Sequence, residues 1–129
     1  MPRAPAELRR GRRLTSRSAG ARGEDLALRY LIGRGYEVVE RNYRTRRGEI
    51  DLIVRKRDTI VFVEVKLRHS TEFGDPLEAV TPRKQATIRS LAEQYLADHQ
   101  PDYDTVRFDV IGVLAERGSL RVTHVENAF

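Results

Sequence analysis

Two apolar runs, residues 48–55 (GEIDLIVR) and 60–67 (IVFVEVKL), are separated by only four residues. Both are rich in β-branched residues, so they read as the two strands of a hairpin with 56–59 as its loop. Residues two apart in a strand share a face. Ile60, Phe62, Glu64 and Lys66 therefore point one way, and Val61, Val63, Val65 and Leu67 the other. Both faces are largely apolar, which predicts a central strand covered on both sides. Into this core-forming hairpin the chain places Glu49, Asp51, Glu64 and Lys66.

The rest of the chain supplies cover for such a sheet. A helix is predicted from near Gly20 to about Ile32, stopped by Gly33 and Gly35. On it Ala27, Leu28 and Leu31 form an apolar arc extended by Leu26 and Tyr30; Glu24 falls inside the arc, with Arg22, Asp25 and Arg29 opposite. Residues 35–44 read as a first strand, and 72–76 (EFGDP) as a loop. Thr81 and Pro82 open a second helix, along which Ile88, Leu91, Ala92, Tyr95 and Leu96 recur at helical spacing. Residues 105–114 and 119–126 are two further strands joined by a tight turn at 115–118. The order is helix, three strands, helix, two strands. It describes one domain over 19–129, without repeats, preceded by a flexible arm over 1–18.

That arm is basic. Residues 1–22 hold seven arginines and one acid, Glu7, for a charge of +6; with +5 on the whole chain, the remainder carries −1. A basic arm on a near-neutral domain suits a polyanion, nucleic acid first, although a solvated tail has the same composition. There are no cysteines, which excludes disulfides, thiolate metal sites and thiol nucleophiles. No apolar run approaches the roughly 20 residues that span a bilayer, and the N-terminus lacks the apolar stretch of a secretory signal. A cytoplasmic location without membrane association is the expectation.

If the loop at 56–59 is symmetric, Arg55 faces Ile60, Asp51 faces Glu64 and Glu49 faces Lys66. Opposed side chains in such a hairpin have Cβ atoms about 4.5–5.5 Å apart, and like charges so placed repel. Burying ionised carboxylates without a partner costs several kcal/mol or shifts their pKa. A divalent cation would compensate, because Mg²⁺ takes one or two carboxylates and keeps waters elsewhere. A wet hairpin face, with Glu49 and Lys66 as an ordinary ion pair, is the alternative. Lys66 is one of three lysines among 24 basic residues, in a chain that otherwise uses arginine. Lysine is a compact ammonium that can change protonation, whereas arginine stays charged.

Asp51, twelve intervening residues, and then Glu64-Val65-Lys66 resemble the D…ExK pattern of the PD-(D/E)xK nuclease superfamily. The stretches 23–55, 62–68, 79–85 (AVTPRKQ) and 107–111 (RFDVI) further resemble the YraN-like bacterial family, over roughly residues 20–129. The resemblance implies an α/β fold with a restriction-endonuclease-like core, a mixed central β-sheet flanked by helices, and kinship with Holliday-junction resolvases. It implies Glu24, Asp51, Glu64 and Lys66 as catalytic residues. It also implies Mg²⁺ or Mn²⁺, one ion or two, held by Asp51, Glu64 and the Val65 carbonyl. The junction resolvases act as dimers, so a homodimer is a further expectation, although no dimer surface is recognisable in this chain.

The expected activity is metal-dependent hydrolysis of phosphodiester bonds, most readily in DNA, with branched DNA in repair or recombination as a candidate substrate. Arg41, Arg44, Arg46 and Arg47 would hold backbone phosphates, as would Lys84 and Gln85 at the start of the second helix. Two rivals stand beside it: a nucleic-acid-binding module without turnover, and a protein-interaction adaptor that keeps only the fold. His69, His99 and His124 lack metal-ligand spacing. No P-loop is present. Asp109, mid-strand in RFDVI, reads as a structural ion-pair partner, and Tyr30, Tyr95 and Phe108 as core.

Overall fold

In the structure, a computed structural model that describes residues 16–69 and 79–129, the hairpin forms the middle of a five-stranded sheet. Its elements in chain order are α1 (Ser16–Gly33), β1 (Glu37–Thr45), β2 (Gly48–Lys56), β3 (Thr59–Arg68), α2 (Pro82–His99), β4 (Thr105–Glu116) and β5 (Ser119–Val125). The strands lie side by side in sequence order. All neighbours are antiparallel except β3 and β4, which run parallel from Thr59–Thr105 to Arg68–Leu114. Parallel neighbours need a long crossover, and α2 lies within it. The arrangement is an α/β protein with a mixed sheet flanked by two helices, consistent with a restriction-endonuclease-like core.

The double-sided pattern of β3 sorts the core into two layers. Val61 and Val63 pack with Leu52, Val54, Ile111 and Val113 beneath Ala27 and Leu31 of α1. Ile60 and Phe62 pack with Ile50, Ile53 and Val110 beneath Ile88, Leu91, Ala92 and Tyr95 of α2. The Thr81 hydroxyl caps α2 by accepting the Lys84 N–H at 3.2 Å. Gly48, with φ at +153°, lets the β1–β2 turn lie against α2, where a Cβ would sit 3.2 Å from Thr87.

The β2–β3 register is the predicted one, with Arg55 opposite Ile60, although the turn itself is only Arg57 and Asp58. Left-handed Arg57 (φ 56°) lets two residues reverse the chain. Helix α1 begins at Ser16 rather than near Gly20. Backbone hydrogen bonding propagates through residues that carry no apolar period, so periodicity alone places the start too late. Of the arm predicted over residues 1–18, residues 16–18 belong to α1, and residues 1–15, like the loop predicted at 72–76, lie outside the described residues. Asp25 corrects the helical wheel. Expected opposite the apolar arc, it is 7% exposed and bound at 2.6 Å by Arg41 of β1. An ion pair to the edge strand buries a face that hydrophobicity alone leaves to solvent.

Candidate metal centre

Both ladders that involve β2 break at Asp51. Between β1 and β2, pairing runs to Arg41–Leu52 and resumes at Tyr43–Ile50, passing over Asn42 and Asp51. Between β2 and β3 it runs from Lys56–Thr59 to Leu52–Val63 and ends there. Asn42 adopts φ 53°, which turns its peptide out of the extended conformation. On β2, Ile50 and Ile53, three positions apart, both enter the α2-side core. Released from the ladder, Asp51 uses its side chain: Oδ2 accepts the Val65 main-chain N–H at 2.8 Å. The expected Asp51–Glu64 and Glu49–Lys66 ladder pairs are therefore replaced by side-chain contacts.

Three acids converge at this break. Glu24 from α1 and Glu49 and Asp51 from β2 each offer a carboxylate oxygen within 4.8 Å of the others. The Asn42 amide donates to Glu24 Oε1 at 3.0 Å and to Glu49 Oε2 at 2.6 Å. Arg44 Nε donates to the other Glu49 oxygen at 3.1 Å. Glu64 of β3 adjoins Asp51, and its charge acts directly on it. Glu64 is 4% exposed, and its Oε1 is buried without a hydrogen-bond partner. Lys84 Nζ lies 3.6 Å from Glu64 Oε2.

The charge balance is unfavourable. Burial, and then the Glu64 charge, push the Asp51 carboxyl up to about 7, against the Val65 N–H that favours the anion. Burial raises Glu64 too, opposed by Lys84 and Lys66. Glu24 rises through burial, with the Asn42 hydrogen bond working the other way and the Asp51 charge adding to the rise. These hard oxygen donors and the orphaned Glu64 oxygen fit a hard divalent cation.

Each residue singled out from the sequence has a definite place. Glu24 and Asp51 belong to the acidic cluster, and Glu64 adjoins it through Asp51. Lys66 faces Glu64 electrostatically. Val65 enters the site through its N–H. Arg41 is held by Asp25 and lies 3.8 Å from Glu24. Arg44 pairs with Glu49, and Arg47 donates to Gln94 at 3.2 Å. Arg46 is exposed beside Arg47 at the turn. Gln85 Nε2 donates to the Val80 carbonyl at 3.0 Å, bracing the first turn of α2. Sequence reasoning placed Glu49 on the Asp51 face but matched it with Lys66; its contacts are Asn42 and Arg44. Asn42 was missed, and its only signal is that asparagine tolerates the left-handed region.

Asp109 belongs to a separate network. Fully buried, it receives both Nε and Nη2 of Arg107 at 2.9 Å, His124 Nε2 at 2.7 Å and the Asn127 N–H at 3.0 Å. Burial acts to raise its pKa, but the bonds from His124, Arg107 and Asn127 outweigh it and hold the carboxyl below its ordinary value. Arg107 also donates to the Tyr36 hydroxyl at 2.6 Å. These bonds tie β4 and β5 to the α1–β1 connection at Tyr36, the structural role read from the sequence.

Fold and site together define an α/β protein of mixed sheet with an acidic centre where its strands part. The chain belongs to the Uncharacterised protein family UPF0102, the YraN-like family, whose model matches residues 23–113. It is 47% identical over 114 residues to a UPF0102 protein of Syntrophomonas wolfei, covering 88% of this chain and 99% of that one. It is 49% identical to a UPF0102 protein of Alkaliphilus oremlandii over 88% of this chain and 99% of the relative. A Beutenbergia cavernae UPF0102 protein is 51% identical, over 82% and 91% respectively. No helix among the described residues is long and apolar enough to cross a membrane.

Proposed function

We propose that this protein is a divalent-metal-dependent phosphodiester hydrolase acting on nucleic acid, with DNA as the first substrate class, in the cytoplasm. The observation that carries the reading is the buried, partnerless Glu64 Oε1 beside Asp51. Half-buried Asp51 and buried Glu64, the latter with an oxygen bonded to nothing, form a site that a cation would complete.

Asp51 and Glu64 would hold Mg²⁺ or Mn²⁺, with Glu24 reaching the site from α1. A bound divalent ion supplies a Lewis acid for the phosphate and lowers the pKa of water at neutral pH. The chain's own groups do the rest. The Val65 N–H fixes the Asp51 carboxylate in one orientation. Lys66, beside Glu64, would orient the attacking water and hold its proton balance. Lys84, at the first turn of α2, would exchange Glu64 for a phosphate oxygen of the substrate. Arg46 and Arg47, exposed on the β1–β2 turn, would bind flanking phosphates.

The test is a cleavage screen with Mn²⁺ across branched, nicked and single-stranded DNA. Parent protein should cut at least one, and Asp51→Ala and Glu64→Ala should not while still binding it. Undiminished cutting by both variants refutes the assignment. A second reading, nucleic-acid binding without turnover, draws on the cations already beside the acids: Arg44 on Glu49 and Lys84 on Glu64. Salt-sensitive binding with no cleavage of any substrate in Mn²⁺ would favour it.

A further inference from the structure

Of the five non-glycine residues with positive φ among the described residues, four sit where such a backbone is ordinary. Arg57 and Arg117 make hairpin turns, Gln100 caps α2, and Asn127 follows β5. Asn42 alone lies inside a strand, flanked by paired residues on both sides. That conformation is foreign to a strand, and here the β1–β2 pairing passes over Asn42 and Asp51 while keeping one register on either side. Backbone outliers that a fold maintains collect where a side chain must be aimed.

Asn42 aims its amide at two acids. Its side chain has one nitrogen with two hydrogens, and each is given to a different carboxylate, Glu24 Oε1 and Glu49 Oε2. Two acceptors facing one terminal atom fix that atom as the nitrogen. The bonds link α1 to β2 across β1, in the gap opposite Asp51. Without them Glu24 and Glu49, both near Asp51, would repel one another, and long glutamate side chains would turn away to solvent.

From this geometry we propose that Asn42 is the positioning residue of the metal centre. Its left-handed backbone opens the ladder at Asp51, and its amide holds Glu24 and Glu49 together as one wall of the cation site. The proposal rests on the metal-centre reading above and assigns Asn42 no contact with the ion. Groups that orient metal ligands in this way typically alter affinity by 10–100-fold when removed.

The test is Mn²⁺ titration of the full-length protein by calorimetry, with thermal melting alongside. Asn42→Gly keeps the left-handed backbone accessible and removes only the amide. It should melt close to the parent yet bind Mn²⁺ roughly tenfold or more weakly. Asn42→Asp also tolerates the backbone but sets a fourth carboxylate against Glu24 and Glu49. It should melt lower than the parent without metal and be raised more by Mn²⁺ than the parent is. A folded Asn42→Gly protein with the parent's Mn²⁺ affinity overturns the proposal. So, if the glycine variant fails to fold, does an Asn42→Asp protein that Mn²⁺ stabilises no more than the parent. Parent protein that binds no Mn²⁺ at all removes the metal-centre reading itself, and the positioning role with it. Parent binding with indifferent variants removes only the role of Asn42.

Discussion

The main-chain N–H of Val65 donates to Asp51 Oδ2 at 2.8 Å, at the point where the β2–β3 ladder stops. A side chain has taken over the acceptor role of a strand carbonyl. The bond holds an acid in place beside Glu64 although their charges repel. Asp51→Asn keeps an acceptor for Val65 and removes the charge. Without metal at pH 8 this variant should be more stable than the parent by about 1–2 kcal/mol, a few degrees in melting temperature. Mn²⁺ should stabilise the parent and leave the variant unmoved. Thermal melts with and without the ion measure both effects, and a destabilised variant would contradict the electrostatic account.

The pH dependence has a definite sign. With its folded pKa pushed up to about 7 from an ordinary 3.8, Asp51 stays protonated in the folded protein where the unfolded chain has ionised. Its contribution to stability is fully present below the unfolded value and is lost as pH rises through about 7. Glu24 and Glu64, also raised, act in the same direction. Asp109, with its pKa lowered, stabilises above its unfolded value and loses that contribution only in acid, below this window. Metal-free parent should therefore lose stability relative to Asp51→Asn between about pH 4 and 7, and Mn²⁺ affinity should climb over the same range as protons are displaced. Urea titrations across pH give the difference curve, and a flat one would rule out the raised acid.

Lys66 should separate catalysis from assembly of the site. Lys66→Ala should reduce cleavage by about 10²-fold or more and leave Mn²⁺ affinity little changed. Lys66→Arg should not restore activity, because the planar guanidinium is bulkier and holds its proton. Single-turnover cleavage beside metal titration reads both. Equal losses in binding and cleavage would make Lys66 structural.

Asp109 should behave in the opposite way. Asp109→Ala leaves Arg107 and His124 facing a buried gap and should cost about 3–5 kcal/mol in a urea titration. Among the described residues the network shares no partner with Glu24, Glu49 or Glu64, so Mn²⁺ affinity of the folded variant should match the parent. A variant as stable as the parent would remove the structural role.

Arg46 and Arg47 should act through phosphates rather than bases. Each change to alanine should weaken DNA binding about equally for all sequences and lower the slope of log affinity against log salt by about 0.9 per lost phosphate contact. Anisotropy titrations over a range of salt concentrations measure it. Unchanged slopes would place the nucleic acid elsewhere.

Much of this molecule is legible along the chain because it depends on local pattern. The double-sided β3 run required cover above and below, and the two helices supply it through Leu31 and Ile88. A symmetric turn set the hairpin register, and Thr81-Pro82 marked the start of α2 to the residue. Asp51, Glu64 and Lys66 stood out because charged residues interrupt strands that are otherwise buried. Two errors about side chains share one cause. Asp25 read as solvent-facing and Glu49 as a partner of Lys66 because sequence spacing assumes uninterrupted alternation and knows nothing of neighbours from other elements. Arg41 buries the first, and Asn42 and Arg44 claim the second.

By itself the order of residues determined which faces of the hairpin must be buried, and hence a covered central sheet, since burial of apolar side chains follows directly from strand and helix periods. Tertiary structure alone decided how the acids meet. Asn42 is left-handed where the β1–β2 pairing passes over Asp51, and only in three dimensions do Glu24 of the first helix, Glu49 and Asp51 converge, with Glu64 beside Asp51. Charges sum over space and not along the chain, so the properties of that centre exist only in the folded protein.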